Sequence, residues 1–111
     1  MKIERRKVDV VVLSDLTDLD PVKVYLEDLE PGRGSLTVTC YGEAWTAYWG
    51  AMGDRQVAAF IRSCGVDYLL GCLMVRRQGP RKAEARQEAY LGRIIRAVKE
   101  WLEQEVKDAA Q

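Results

Sequence analysis

Two runs of alternating apolar and polar residues face each other across a turn that suits an antiparallel hairpin. Val22, Val24 and Leu26 alternate with Lys23, Tyr25 and Glu27, the period of a strand buried on one side. Leu36, Val38 and Cys40 alternate in the same way with Thr37, Thr39 and Tyr41. Between them, Glu30-Pro31-Gly32-Arg33-Gly34 supplies Pro and two Gly where a reversal needs their dihedrals. A period of two puts one face toward a core only when the chain is extended, so this hairpin commits the first half of the chain to a sheet.

The neighbouring segments extend that sheet. Val8 to Leu13 reads Val-Asp-Val-Val-Val-Leu, β-branched and bounded by Ser14-Asp15, which is a strand. Leu16 to Asp20 is an acidic loop that ends at Pro21, a residue excluded from a central ladder. After Gly42, Trp45, Ala47 and Trp49 alternate with Thr46 and Tyr48, predicting a further strand closed by Gly50 and Gly53.

The period then changes. Asp54 stands where a helix N-cap belongs, Val57, Phe60, Ile61 and Cys64 follow at helical spacing, and Gly65 occupies the position of a C-terminal glycine. Asp67 stands ready to cap a second short helix with Tyr68, Leu69, Leu70, Leu73 and Met74. Arg76-Arg77-Gln78-Gly79-Pro80-Arg81-Lys82 is a basic connector with a Gly-Pro break. Beyond it Tyr90, Leu91, Ile94, Ile95, Val98, Trp101 and Leu102 make one apolar stripe on a long helix.

Strands first and helices after predict a two-layer α+β fold. The expectation is a single domain over 1–111: an antiparallel β-meander of three to four strands over 1–50, short helices over 54–75, the connector over 76–81 and a long helix over 82–108. Two or three helices pack on one face of the sheet.

Function is constrained mainly by what the residues exclude. The chain has no histidine, which removes the commonest general base, the usual partner of a nucleophilic Ser or Cys, and the commonest metal ligand. Seventeen basic and seventeen acidic residues balance, so bulk charge does not favour a long polyanion. The balance is uneven along the chain, −3 over residues 1–55 and +3 over 56–111. Cys40, Cys64 and Cys72 are odd in number and form no CxxC pair, the pattern of buried thiols in a reducing compartment. No signal-peptide pattern follows Met1-Lys-Ile-Glu-Arg-Arg-Lys7, and no apolar run approaches bilayer length. A cytoplasmic protein without membrane contact, cofactor or metal is expected, and not an enzyme.

Three groups of residues are candidates for binding. Asp15, Asp18, Asp20, Glu27, Asp28 and Glu30 set six acids against one Lys within sixteen residues, a negative patch suited to a basic protein groove. As a catalytic carboxylate pair they would have to converge in a pocket, and their loop and strand positions argue for a solvated surface instead. Tyr48 and Arg55 form a candidate aromatic edge, of residue types that dominate interface hot spots; alternation sends Tyr48 outward and Trp45 and Trp49 to the core. Arg76, Arg77, Arg81, Lys82 and Arg86 could grip phosphates. Pro31-Gly32-Arg33-Gly34 lacks the ending of a phosphate-binding loop and reads as a hairpin turn.

The segment from Asp20-Pro21-Val22 through Pro31-Gly32-Arg33-Gly34, Cys40-Tyr41-Gly42, Trp45, Tyr48-Trp49-Gly50, Met52-Gly53-Asp54-Arg55 and Phe60, ending near Asp67-Tyr68-Leu69, resembles small accessory proteins of tailed phages and prophages. The region from Arg76 onward departs from that pattern. The resemblance implies context, an accessory gene acting in the host cytoplasm, and carries no functional residue with it. It makes an interaction protein the leading expectation, its partner a host protein or nucleoprotein complex, for instance a CRISPR-type defence complex. A nucleic-acid-associated protein of phage replication or recombination is the alternative. A homodimer through the C-terminal helix, by way of Trp101 or Val106, is a further expectation.

Overall fold

The computed structural model describes residues 1–74 and 81–110. Within them β1 (Asp9–Leu13), β2 (Val22–Glu30), β3 (Arg33–Cys40) and β4 (Glu43–Trp49) form one antiparallel sheet in the order β1-β2-β3-β4. The helices α1 (Val57–Ser63), α2 (Val66–Leu73) and α3 (Arg81–Ala109) follow. This is the α+β meander with helices after strands that the residue pattern predicts. Arg76, Arg77 and the Gly79-Pro80 break lie outside the described residues.

Alternation decides which face is covered. Val22, Val24, Leu36, Val38, Cys40, Trp45, Ala47 and Trp49 all point to the same side of the sheet and are buried there. The helical layer answers with Val57, Ile61, Leu69, Leu73, Leu91, Ile94, Ile95, Val98 and Leu102. Each such side chain contributes roughly 1.5–3 kcal/mol on burial. α3 has 29 residues, a length of about 43 Å. Its buried positions run only from Leu91 to Leu102, so its ends extend past the core.

The layers are joined at the β2–β3 turn. Gly32 adopts a φ of +84°, open to glycine at no steric cost. Its N–H donates to the Arg55 carbonyl (3.3 Å), and its own carbonyl accepts from the Met52 N–H (2.9 Å). A side chain at Gly32 would run into the Gly53 carbonyl. Next to it, Asp28 pairs with Gly34 across the ladder, and a methyl on Gly34 would strike the Val57 side chain and come within 2.6 Å of the Glu27 carbonyl. The bare Gly34 backbone is therefore the seat of the α1 N-terminus.

Both ends of α1 are closed from a distance, which corrects the local capping expected from the sequence. The N-cap residue is Gln56 and its side chain makes no cap bond; Asp54 is not the cap. Instead the Val57 N–H donates to the Asp28 carboxylate, 2.8 Å away on β2. At the other end Lys99 of α3 donates to the carbonyls of Ile61, Arg62 and Cys64. Gly65 is not left-handed (φ −77°) and serves as the N-cap of α2, with Asp67 inside its first turn.

Asp28→Ala is expected to lower unfolding stability by about 1 kcal/mol, the typical worth of a cap. Gly34→Ala should lower it by roughly 2–3 kcal/mol through overpacking. Urea unfolding followed by tryptophan fluorescence checks both. A neutral Gly34→Ala would mean that α1 does not rest on the hairpin.

Candidate interaction surface

The helices cover one face of the sheet, and the opposite face is open. The register lays Val10, Tyr25, Thr37 and Thr46 in one row across all four strands. Val12, Lys23, Thr39 and Ala44 form the next row. Glu27, Ser35 and Tyr48 align on the other side of the first. Val10, Val12 and Tyr48 are 48%, 52% and 53% exposed, high values for large apolar groups on one surface. Val8, Tyr25, Glu27, Ser35, Thr37 and Thr39 line a shallow groove of about 310 Å³ across its middle.

Polar contacts fix this face. The Thr37 and Thr46 hydroxyls lie 2.9 Å apart, and Thr46 also donates to the Leu36 carbonyl (3.3 Å). Arg33 donates to the Tyr48 hydroxyl (3.1 Å) and to the Glu30 carboxylate (3.3 Å). The Tyr48 bond, followed by the Glu30 charge, raises the Arg33 pKa above its ordinary value. Arg6 bridges Glu4 and Glu27 at 3.4 and 3.5 Å. Surface pairs of this kind add little to stability, so their effect is to orient the side chains.

The six acids do not form one patch. Asp15, Asp18 and Asp20 lie in the β1–β2 loop, while Glu27, Asp28 and Glu30 lie at the far end of β2. Asp20 and Asp28 are eight strand positions apart, roughly 26 Å. Glu27, Asp28 and Glu30 are engaged by Arg6, the α1 backbone and Arg33. The loop acids make no ion pair among the described residues, and their backbone is anchored. Asp15 and Asp18 take φ near +57° (58° and 56°). The Asp18 carbonyl accepts from Arg93 (3.3 Å), and the Asp20 carbonyl accepts from the Cys40 thiol (3.6 Å).

Tyr48 and Arg55 do not form a shared edge. Tyr48 projects from the open face, whereas Arg55 sits over the Phe60 ring (5.3 Å) on the helical side. Arg55 donates there to the Met52 carbonyl (3.3 Å) and the Ser63 hydroxyl (3.0 Å). Phe60 in turn contacts Trp49 at 5.3 Å between centroids. The cation that meets Tyr48 is Arg33, a neighbour the hairpin register could have revealed: Arg33 leads into β3, and Tyr48 pairs with Ser35 of that strand. Of the basic group, Arg81, Lys82 and Arg86 are exposed on the first turns of α3. Trp101 is half-buried against the core, and Val106 is 41% exposed.

The three cysteines are free thiols; Cys40 is buried, but Cys64 and Cys72 are only half-buried. Partial burial pushes the Cys64 thiol above its ordinary pKa. The Tyr90 hydroxyl donates to the Cys40 sulfur (3.0 Å) and its ring packs on Trp45 (5.9 Å). Desolvation, then the Cys40 bond, push the Tyr90 hydroxyl up to about 12. A crevice of about 250 Å³ between α2 and α3 is flanked by Asp67, Glu84 and Glu88. Among the described residues no three His, Cys, Asp or Glu side chains converge to hold a metal ion. No described helix is long and apolar enough to cross a membrane.

Geometry thus defines a two-layer α+β protein that presents an open, partly apolar sheet face. Over residues 1–105 the chain matches the Phage_phiTE_072 family, described as a phage family, and it belongs to that family. The match runs well beyond the 20–69 segment that carries the sequence resemblance and includes most of α3, the region expected to depart from the phage pattern. No curated protein and no solved structure matches the chain.

Raising the folded-state pKa of an acid stabilises the fold while the proton stays on. Tyr90 therefore contributes fully below its ordinary value of 10.0, and the contribution disappears as pH rises through about 12. Between pH 10 and 12 the Tyr90→Phe variant should lose stability less steeply than the wild type, as measured by denaturant midpoints. Parallel curves would remove the Tyr90–Cys40 contact as their cause.

Proposed function

We propose that the protein is a non-enzymatic phage accessory factor that acts by binding another protein through its open sheet face. One observation carries this reading: large apolar residues, Val8, Val10, Val12 and Tyr48, lie 40–53% exposed on or beside a single ordered surface. Large apolar groups exposed on one face mark interaction sites on soluble proteins; here the valines lie along the β1 edge and Tyr48 along the β4 edge. Between them the hydroxyls of Ser35, Thr37 and Thr39, with Thr46 beside Tyr48, offer adaptable hydrogen-bonding groups. Phage-family membership and the lack of histidine support a host complex as the partner, and a defence nuclease complex of the CRISPR type is the partner class favoured.

Expression of the protein in a CRISPR-immune host should restore plaque formation by a targeted phage. A Thr37→Arg/Tyr48→Ala variant should abolish that rescue and fold with an unchanged melting temperature. If wild type and variant both leave immunity intact, the reading fails.

Nucleic-acid association through Arg76, Arg77, Arg81, Lys82 and Arg86 is the alternative, supported by the exposure of Arg81, Lys82 and Arg86 on α3. Phosphate contacts weaken steeply with salt, so this reading requires a mobility shift of DNA at low salt that disappears as salt rises. The absence of a shift with both single- and double-stranded DNA removes it.

A further inference from the structure

The outer edge of β1 is built to receive a strand, and the hydrogen-bond phase of the sheet shows which groups it offers. Tyr41 and Gly42 both have positive φ (50° and 78°), a type I′ turn, whose closing pair Cys40–Glu43 is hydrogen-bonded. Bonded and non-bonded pairs alternate along an antiparallel ladder. Cys40, Val38 and Leu36 therefore bond to β4, and Thr39, Thr37 and Ser35 bond to β2. Lys23 and Tyr25 are committed to β3, which leaves Val22, Val24 and Leu26 for β1, where they meet Leu13, Val11 and Asp9. The backbone groups of Val10 and Val12 point away from the sheet, and among the described residues nothing bonds to them.

Edge strands usually carry a Lys, a Pro or a bulge that discourages pairing. Asp9–Leu13 carries no Lys, Pro or bulge, and its one charge, Asp9, stands at its first position, leaving Val10 to Leu13 uncharged. Charges flank it instead: Lys2, Arg5 and Lys7 come before β1, and Asp15, Asp18 and Asp20 come after it. None of the six makes an ion pair among the described residues. Lys7 and Asp15 are separated by β1 itself, roughly 26 Å of extended chain, so they cannot meet within one molecule. The second free edge, β4, lacks this arrangement, being flanked by Tyr41-Gly42 and Gly50-Ala51.

We propose that two copies of this chain pair through β1, antiparallel and centred on Val11. Val10 then faces Val12 of the second copy in both directions, so the outward backbone groups of both residues are bonded. Lys7 of each copy lies against Asp15 of the other. The contact is two-fold symmetric, so every interaction away from the central Val11 pair occurs twice. The two open faces merge into one eight-stranded surface, which extends the area available for binding but does not depend on the partner proposed above. Strand pairing alone falls at the small end of specific interfaces, so the dimer is concentration-dependent.

Sedimentation equilibrium across a wide concentration range, on the full chain, tests this. Wild type should shift from monomer toward dimer mass, and added salt should weaken the shift. Val10→Pro removes an N–H that bonds nothing within the monomer, so its melting temperature should hold while the dimer dissociation constant rises roughly tenfold or more. Lys7→Glu and Asp15→Lys should each weaken the dimer, and the two together should restore it to within about threefold of wild type. A monomer at every concentration overturns the proposal. So does a dimer indifferent to Val10→Pro, as pairing through α3 would be, or a double variant no tighter than either single change.

Discussion

A seven-residue helix has no stability of its own, and the architecture rests on how α1 is held. An anion at its N-terminus and a cation at its C-terminus satisfy the free backbone groups and oppose the helix dipole. The anion, Asp28, comes from β2, and the cation, Lys99, comes from α3. One short helix thus ties the strand layer to the long helix through two charged contacts. The glycine turn completes the join: Gly32 bonds to both sides of the β4–α1 connector, and Gly34 leaves the space that Val57 occupies.

This explains the most distinctive words in the sequence. Pro31-Gly32-Arg33-Gly34 and Met52-Gly53-Asp54-Arg55 are far apart in the chain, yet they meet in the structure: Gly32 bonds to Met52 and Arg55, and a side chain on Gly32 would collide with Gly53. Arg55 spends its donors on the Met52 carbonyl and Ser63 and its guanidinium face on Phe60. Residues that stand out as a possible site are therefore occupied in building the fold. The surface left uncovered is the plainer one, made of alternating Val, Thr and Tyr.

The architecture could be read from the chain because it depends on local periodicity. Alternation around Pro31-Gly32 and the stripe from Tyr90 to Leu102 each fix an element and its buried face. The caps could not be read, because Asp28 and Lys99 lie 29 and 35 positions from the backbone groups they close; local rules point to Asp54 and Gly65. The acidic residues divide for the same reason in reverse. Residues 15–30 are close in sequence, but a nine-residue strand carries Asp20 and Asp28 to opposite ends of the sheet. Tyr48 and Arg55, seven positions apart, are parted because Gly50 and Gly53 turn the chain from one layer into the other.

An exposed Val-rich edge is a hazard unless something restricts what it can join. In β1 that restriction lies in the sign of the flanking charges. A parallel copy would set Lys7 beside Lys7 and Asp15 beside Asp15, and a shift of register would leave the basic arm facing the valines. Only antiparallel pairing near Val11 opposes the two signs, so repulsion excludes the wrong pairings while attraction selects the right one. The contact also uses up the edge that makes it: once two copies are joined, both β1 edges are paired, and the remaining edges are the β4 strands, which begin with the acidic Glu43 and lack the opposed basic and acidic flanks of β1. Pairing through β1 therefore closes at two.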